Sequence, residues 1–344
     1  APEKHPGAPL PLPPRMASAV RAAPPIPRSI LVLKPSSLGD VVHTLPAVAA
    51  LRRHFPHARI AWMVNPEWAP LLEGNPSIDA VLPFPRSRFR GPLGPLRLLP
   101  WARDFATEAA SDLVLDFQGL LRSAFIGKLC RIRHFHGLSD AREGARFFYD
   151  ATARVTPSQH AVDRYLALVA SLGVPVPRPL EWPLPAAPLP EGFDADRPFI
   201  ALHPFSRGQG KSLSIADLET LCRSLAPLRL VLLGRFESPL PPSLSSLPHL
   251  ENWLNRTSLP QLVSLLRQAS WTISVDSGPM HIAAALSPRL LSIHTWSDPQ
   301  RVGPYPPEAW IWQNGSLFQR GQPARTLPAP SPEKAAEWLL AHVS

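Results

Sequence analysis

The sequence predicts an α/β fold built from two similar halves, and three observations carry that prediction. Short apolar runs alternate with stretches whose apolar residues recur every three to four positions, a pattern that favours parallel strands joined by helical crossovers. A proline-dense connector, LGVPVPRPLEWPLPAAPLPEGFDADRP at 172–198, interrupts the chain, and the same pattern restarts beyond it. Each half also places a strand end, a small polar turn and a helix start in succession, at KPSSLGD (34–40) and at VDSGPMH (275–281).

In the first half ILVL (30–33) reads as a buried strand, followed by a loop and a helix from about 40 to 54 on Val41, Leu45, Val48 and Leu51. RIAWMV (59–64), AVLPF (80–84) and LVLDF (113–117) read as further strands. In the second half FIALHPF (199–205), LRLVLLG (228–234), WTISVD (271–276) and RLLSIHT (289–295) are strands, with helices near 214–226 and 279–286. PEKAAEWLLAHV (332–343) closes the chain as an amphipathic helix. The predicted organisation is a proline-rich disordered tail at 1–28, a Rossmann-like domain at 29–176, a linker at 177–198, a second Rossmann-like domain at 199–330 and a terminal helix at 331–344. In such sheets ligands bind beyond the carboxyl ends of the strands, so the two halves are expected to face each other across a cleft.

With 45% hydrophobic residues, the 344-residue chain reads as a globular protein with a substantial core. It has two cysteines, Cys130 and Cys222, each in an apolar stretch, which offers neither a disulfide framework nor a metal-binding spacing and suits a reducing cytoplasm. No apolar run approaches the length of a spanning helix, and 1–28 lacks the apolar centre of a signal peptide. The net charge of +9 is concentrated before residue 177. FQGLLRSAFIGKLCRIRHFH (117–136) carries Arg122, Lys128, Arg131 and Arg133 without an acid, and PRSRFRGPLGPLR (85–97) adds four arginines. Such a surface attracts phosphates, although a solvated face reads equally well. Nucleic acid is disfavoured, because the basic stretches contain neither a recognition module nor interleaved aromatic residues.

Three polar segments are candidates for chemistry. KPSSLGD lacks both GxGxxG and GxxxxGK[ST], so the usual nucleotide fingerprints are absent, yet it opens a helix whose free amides favour an anion. Asp40 there suits a helix cap as well as a catalytic base. In VDSGPMH, Asp276 ends a strand, Ser277 and Gly278 make a tight turn, and His281 reads either as a site residue or as a packed core histidine. HPFSRGQGKS (203–212) supplies Ser206 and, at the tip of a glycine-flanked loop, Lys211, a mobile charge for a diphosphate. The DxD string Asp194–Ala195–Asp196 lies in the connector, where a turn is its ordinary role.

KPSSLGDVVHTLPAV, LDFQGLLRSA, HPFSRGQGK and SVDSGPMHIAAAL resemble the motifs of the ADP-heptose:lipopolysaccharide heptosyltransferases, glycosyltransferase family nine, in order and spacing over about 30–305. The segment from 116 to 168 adds a likeness to the heptosyltransferase I branch. The resemblance implies a GT-B architecture and an inverting, metal-independent transfer of heptose from ADP-heptose to the Kdo inner core of a lipopolysaccharide precursor, without a cofactor. Asp40 would be the general base and Lys211 would stabilise the leaving diphosphate. Ser206, Glu237, Asp276, Ser277, Gly278 and His281 would bind the donor, although Glu237 also reads as a solvated glutamate after a strand. Ser36, Ser37, Gly39, Arg122, Lys128, Arg131 and Arg133 would meet an anionic lipid A–Kdo acceptor, with the protein cytoplasmic and peripheral on the inner membrane. The chain departs from the family at Ser212–Leu213, where a tryptophan usually follows two residues after the lysine; a changed wall there leaves room for another nucleotide sugar. A catalytically silent nucleotide- or glycan-binding module is the reading from a different class.

Overall fold

The computed structural model describes residues 26–322, 325–326 and 332–343. The tail expected at 1–28 therefore lies almost wholly outside the described residues. The first half comprises β1 (Ser29–Leu33), α1 (Leu38–His54), β2 (Arg59–Val64), β3 (Ala80–Pro83), α2 (Gly94–Ala109), β4 (Ser111–Asp116), α3 (Leu121–Cys130), β5 (Arg131–Leu138), β6 (Ala151–Ala153) and α4 (Ala161–Ala170). The second comprises β7 (Ile200–His203), α5 (Ile215–Ser224), β8 (Leu230–Leu232), α6 (Pro242–Ser245), β9 (Leu250–Asn252), α7 (Leu259–Gln268), β10 (Trp271–Val275), α8 (Gly278–Leu286), β11 (Leu290–His294), α9 (Pro299–Val302), β12 (Trp310–Gln313), β13 (Ser316–Gln319), β14 (Arg325–Thr326) and α10 (Pro332–Leu340).

Six parallel strands form the first sheet in the order β3-β2-β1-β4-β5-β6. The second sheet repeats this order as β9-β8-β7-β10-β11-β12 and then adds β13 and β14 as an antiparallel edge. Both orders reverse beside their first strand, and ligands collect at such a reversal. In the first sheet it lies between β1 and β4, where the Lys34–Ser37 loop leaves; in the second it lies between β7 and β10, where both HPFSRGQGKS and VDSGPMH begin.

Strand composition follows burial. β1, β7, β10 and β11 are covered on both faces; β1 is a run of Ile, Leu and Val, and the others mix such residues with buried Trp271, Thr272, Ser274, Ser292 and terminal histidines. One apolar cluster runs through both halves: Ile30, Val42 and Leu45 of the first share it with Met280, Ile282 and Leu290 of the second. The 177–198 segment carries no helix or strand and is tied to both sides. Asn75 Nδ2 donates to the Pro183 carbonyl at 2.9 Å, and Ser264 Oγ donates to the Ala187 carbonyl at 2.8 Å. No helix among the described residues is long and apolar enough to cross a membrane.

Candidate active site

The two sheets direct the carboxyl ends of their strands at one cleft of about 800 Å³, lined from the first half by Ser37, Gly39, Asp40 and His43 and from the second by Ser206, Lys211, Asp276, Ser277, Gly278 and His281. On the first wall α1 begins with Ser37 as N-cap and Asp40 three residues later. Asp40 takes the capping role, its Oδ2 accepting from the Ser37 amide at 3.0 Å and the Ser37 hydroxyl at 2.8 Å, and the side chain still lines the cleft at 36% exposure. Its Oδ1 accepts from the Tyr165 hydroxyl of α4 at 3.0 Å and lies 3.8 Å from the Lys34 ammonium.

Lys34, at the end of β1, is buried; its Nζ donates to the Phe117 carbonyl at 3.0 Å and sits 4.9 Å from the centre of the Tyr165 ring. Burial lowers the Lys34 pKa, and Asp40 and Asp116 work against that shift. For Asp40, partial burial pushes the carboxyl up, but Lys34, the Ser37 donors and Tyr165 outweigh it and hold the pKa below the usual carboxylate value. The group is therefore an ionised acceptor at neutral pH.

The second wall centres on Asp276, 5% exposed at the end of β10. Burial raises its pKa, yet Lys211 and Ser297 reverse that and leave it lowered. Lys211 Nζ donates to Asp276 Oδ2 at 2.6 Å, so the loop charge is parked on the carboxylate beside the amino end of α8. Ser206 Oγ donates to the Asp276 carbonyl at 3.3 Å and accepts from the Gly208 amide at 3.3 Å, which fixes the root of the lysine loop. Ser277 stands at the N-cap position of α8 without a side-chain capping bond, and with Gly278 and Pro279 of the first turn it lines the cleft, so the amino end of the helix borders the site.

The walls touch through reciprocal close approaches. A Cβ on Gly39 would lie 2.5 Å from His281 Cδ2, and a Cβ on Gly278 would lie 2.5 Å from Leu38 Cδ2. Beside them His43 and His281 share a hydrogen bond of 2.9 Å, Nε2 to Nδ1, with the His160 ring 4.9 Å from that of His43. His281 is thus both a cleft residue and a packed one. A second bridge between the halves is the exposed ion pair of Arg207 with Glu67 at 3.4 Å.

Not every sequence candidate reaches the cleft. Ser36 is outside the lining, its amide 3.4 Å from Gln118 Oε1. Glu237 is exposed and also outside it, whereas Arg235, two residues earlier, lines the cleft. Arg122 sits in the first turn of α3, at the carboxyl edge of its sheet, but is not a lining residue. Lys128 ends α3, and Arg131 pairs in register with Ser111 at the start of β4, so Lys128, Arg131 and Arg133 belong to the sheet edge remote from the cleft. Arg131 is paired with Asp150 at 2.5 Å and Arg133 with Asp112 at 3.5 Å. The physical reason is direction: β5 enters from the amino edge, so the basic residues at its start point away from a site built on strand ends. Asp194 accepts from the Asp196 amide at 3.1 Å, a local turn outside the cleft.

Sequence reasoning missed Lys34, Tyr165, His43, Arg235, Arg301 and Trp296. Lys34 is visible in KPSSLGD as a lysine closing an apolar strand. Trp296 is outside the lining but lies beside Lys211, its ring centre 5.1 Å from Nζ, whereas the lysine's own loop continues with Ser212 and Leu213.

A family model for glycosyltransferase family 9 (heptosyltransferase) matches residues 107–322. Lipopolysaccharide heptosyltransferase 1 of Pseudomonas aeruginosa is 31% identical over 296 residues, covering 80% of this chain and 81% of the relative. Lipopolysaccharide core heptosyltransferase OpsX of Haemophilus influenzae is 24% identical over 325 residues, covering 88% and 90%. A structure of E. coli heptosyltransferase WaaC with ADP is similar in fold, with a TM-score of 0.73 and 23% identity over 92% of this chain and all of that one. E. coli ADP-heptose lps heptosyltransferase II has a TM-score of 0.69 at 21% identity. The two sheets facing one cleft are the GT-B arrangement, and the chain belongs to glycosyltransferase family 9, the heptosyltransferases.

Proposed function

We propose that this protein transfers heptose from ADP-heptose to the Kdo inner core of a lipopolysaccharide precursor, in one inverting displacement with Asp40 as general base. The observation that carries this reading is the ionised Asp40 carboxylate on one wall of a cleft whose other wall carries Lys211 and the amino end of α8, while Glu67, the other carboxylate lining the first wall, is ion-paired with Arg207. The acceptor hydroxyl gives its proton to Asp40 as its oxygen bonds to the anomeric carbon; the bond from that carbon to the diphosphate oxygen breaks, and its electron pair leaves with ADP. A single displacement needs one carboxylate, whereas retention through a covalent intermediate needs a second as nucleophile. Negative charge growing on the leaving diphosphate is met by Lys211, by Arg235 and Arg301 in the lining and by the α8 amides, a stabilisation concentrated in the transition state. These cations support a reaction that needs no divalent metal.

The donor reading is supported by structures of E. coli heptosyltransferase WaaC with ADP and with ADP-2-deoxy-2-fluoro heptose, and by the name of E. coli ADP-heptose lps heptosyltransferase II. Ser206, Asp276, Ser277, Gly278 and His281 are assigned to the donor, and Ser37, Gly39 and Arg122 to the acceptor side. Contact with the cytoplasmic membrane face is supported by the 88–103 segment leading into α2, where Leu93, Leu96 and Leu99 are exposed among Arg88, Arg90, Arg97 and Arg103. The test is turnover of ADP-heptose with a Kdo-terminated acceptor, measured as ADP release and product mass, against UDP- and GDP-sugars. Transfer from ADP-heptose that survives a strong chelator is the expected result. Activity confined to the other donors would move the chain to another nucleotide sugar, and nucleotide binding without any transfer would make it a binding module.

A further inference from the structure

Trp296 follows β11 and is 67% exposed, yet its position is fixed from three directions. Its indole Nε1 donates to the Gln209 carbonyl at 3.2 Å, and the neighbouring Thr295 hydroxyl donates to the Gly210 carbonyl at 2.7 Å. Behind the ring, Gln313 Nε2 of β12 donates to the Ser297 carbonyl at 2.8 Å and lies 3.4 Å from the Thr295 carbonyl, holding the backbone on both sides. The ring centre lies 5.1 Å from Lys211 Nζ, within the range of a cation over an aromatic face. The Lys211 ammonium therefore stands between an exposed indole and the nearly buried Asp276 carboxylate at 2.6 Å.

We propose that Trp296 is a donor-positioning residue that acts through Lys211 on the diphosphate of a nucleotide sugar, an inference that rests on the nucleotide-sugar reading above. For Lys211 to meet a diphosphate it must loosen its contact with Asp276. A carboxylate alone would pull the ammonium back into the wall. An indole face attracts the cation without neutralising it, and it lies on the solvent side of the loop, so it gives the lysine a second resting place that leaves its charge available. The indole bond to the Gln209 carbonyl and the Thr295 bond to the Gly210 carbonyl tie the Thr295–Trp296 segment to the tip of the lysine loop, so ring and loop move together. Neither Ser212 nor Leu213 can supply this from within the loop.

The experiment is a double-substitution cycle on the full chain with Trp296→Ala, Trp296→Phe, Lys211→Met and the Trp296→Ala, Lys211→Met pair. The readouts are ADP affinity by calorimetry and, in transfer assays, the KM of the donor against that of the acceptor. Trp296→Ala should weaken ADP binding and raise donor KM about two- to fivefold, the scale of an exposed cation–aromatic contact. Acceptor KM and the thermal midpoint should stay unchanged, and Trp296→Phe should recover most of the loss. In the Lys211→Met background Trp296→Ala should change neither quantity further. The proposal is overturned if the penalty persists without the lysine, if acceptor KM rises equally, or if Phe behaves as Ala. If the unmodified protein binds UDP or GDP but not ADP, the ADP assignment fails while the same coupling, read with that diphosphate, still decides the role of Trp296. If it binds none of the three, both readings fall.

Discussion

Tyr165 donates its hydroxyl to Asp40 Oδ1 at 3.0 Å from a helix 125 residues further along the chain. With Lys34 at 3.8 Å from the same oxygen, the contact makes Asp40 an anion whose free lone pairs are aimed rather than roaming. Both carboxylate oxygens are thus held: Ser37 binds one, Lys34 and Tyr165 lie at the other, and all three neighbours lower the pKa.

Asp40→Asn keeps the size of the side chain but removes the proton acceptor. Transfer should fall by about 10²- to 10⁴-fold, the usual contribution of a general base, while ADP binding stays within about twofold. Rate measurements at saturating donor, paired with calorimetry, check this; unchanged turnover would remove Asp40 from the reaction.

Tyr165→Phe tests the tuning. The Asp40 pKa is held below its ordinary value, so the base is ionised above that pKa and activity is lost as pH falls through it. Deleting one donor to the anion raises the pKa, so the acid limb of the pH–rate profile should move toward higher pH, with the plateau rate reduced less than in Asp40→Asn. A profile superimposable on that of the unmodified protein would assign Tyr165 to packing alone.

Lys211→Ala removes the partner of Asp276 as well as a cation for the diphosphate. Donor use should weaken by about 1–3 kcal/mol, the scale of a charge-assisted hydrogen bond, with acceptor KM little changed. Equal losses for both substrates would point to collapse of the cleft wall instead.

Between the halves, His43, His160 and His281 are held neutral. Burial is the largest cause and lowers all three; neighbouring histidines add to it at His43 and His281, Asp276 opposes it at His281, and His160 and His281 end at about 4. Between the unfolded value of about 6.5 and the folded one the unfolded chain binds more protons, so stability is lost as pH falls through that window. The urea midpoint should be lower at pH 5 than at pH 7.5. His160 Nδ1 accepts from the Val162 amide at 3.2 Å as a helix cap, so His160→Asn should retain the cap and shrink the pH-dependent loss.

Much of this fold was legible in the chain. β1, β2, β10 and β11 read as apolar runs because central parallel strands are buried on both faces, and α1 declared itself by spacing. β5 did not: RIRHFHGL alternates arginine and histidine with a fully buried Phe135, and its charges read as surface while its backbone completes a sheet. β12 and β13 went unread, although Asn314–Gly315 announces the turn between parallel β12 and its antiparallel neighbour β13. Within the site, Asp40, Lys211 and Asp276 were legible from local turns, since each sits where a strand meets a helix or loop. Tyr165 and the His43–His281 contact were not, because only tertiary folding brings residues 125 and 238 positions apart into hydrogen-bond range.

The mutual fit at Gly39 and Gly278 has a consequence for exchange between relatives. Each glycine leaves a notch filled by a side chain from the opposite half, His281 in one and Leu38 in the other. A chimera that grafts one half onto a foreign counterpart must import both notch and filler together, or the helix tips will stand apart and Asp40 will part from the opposite wall of the cleft.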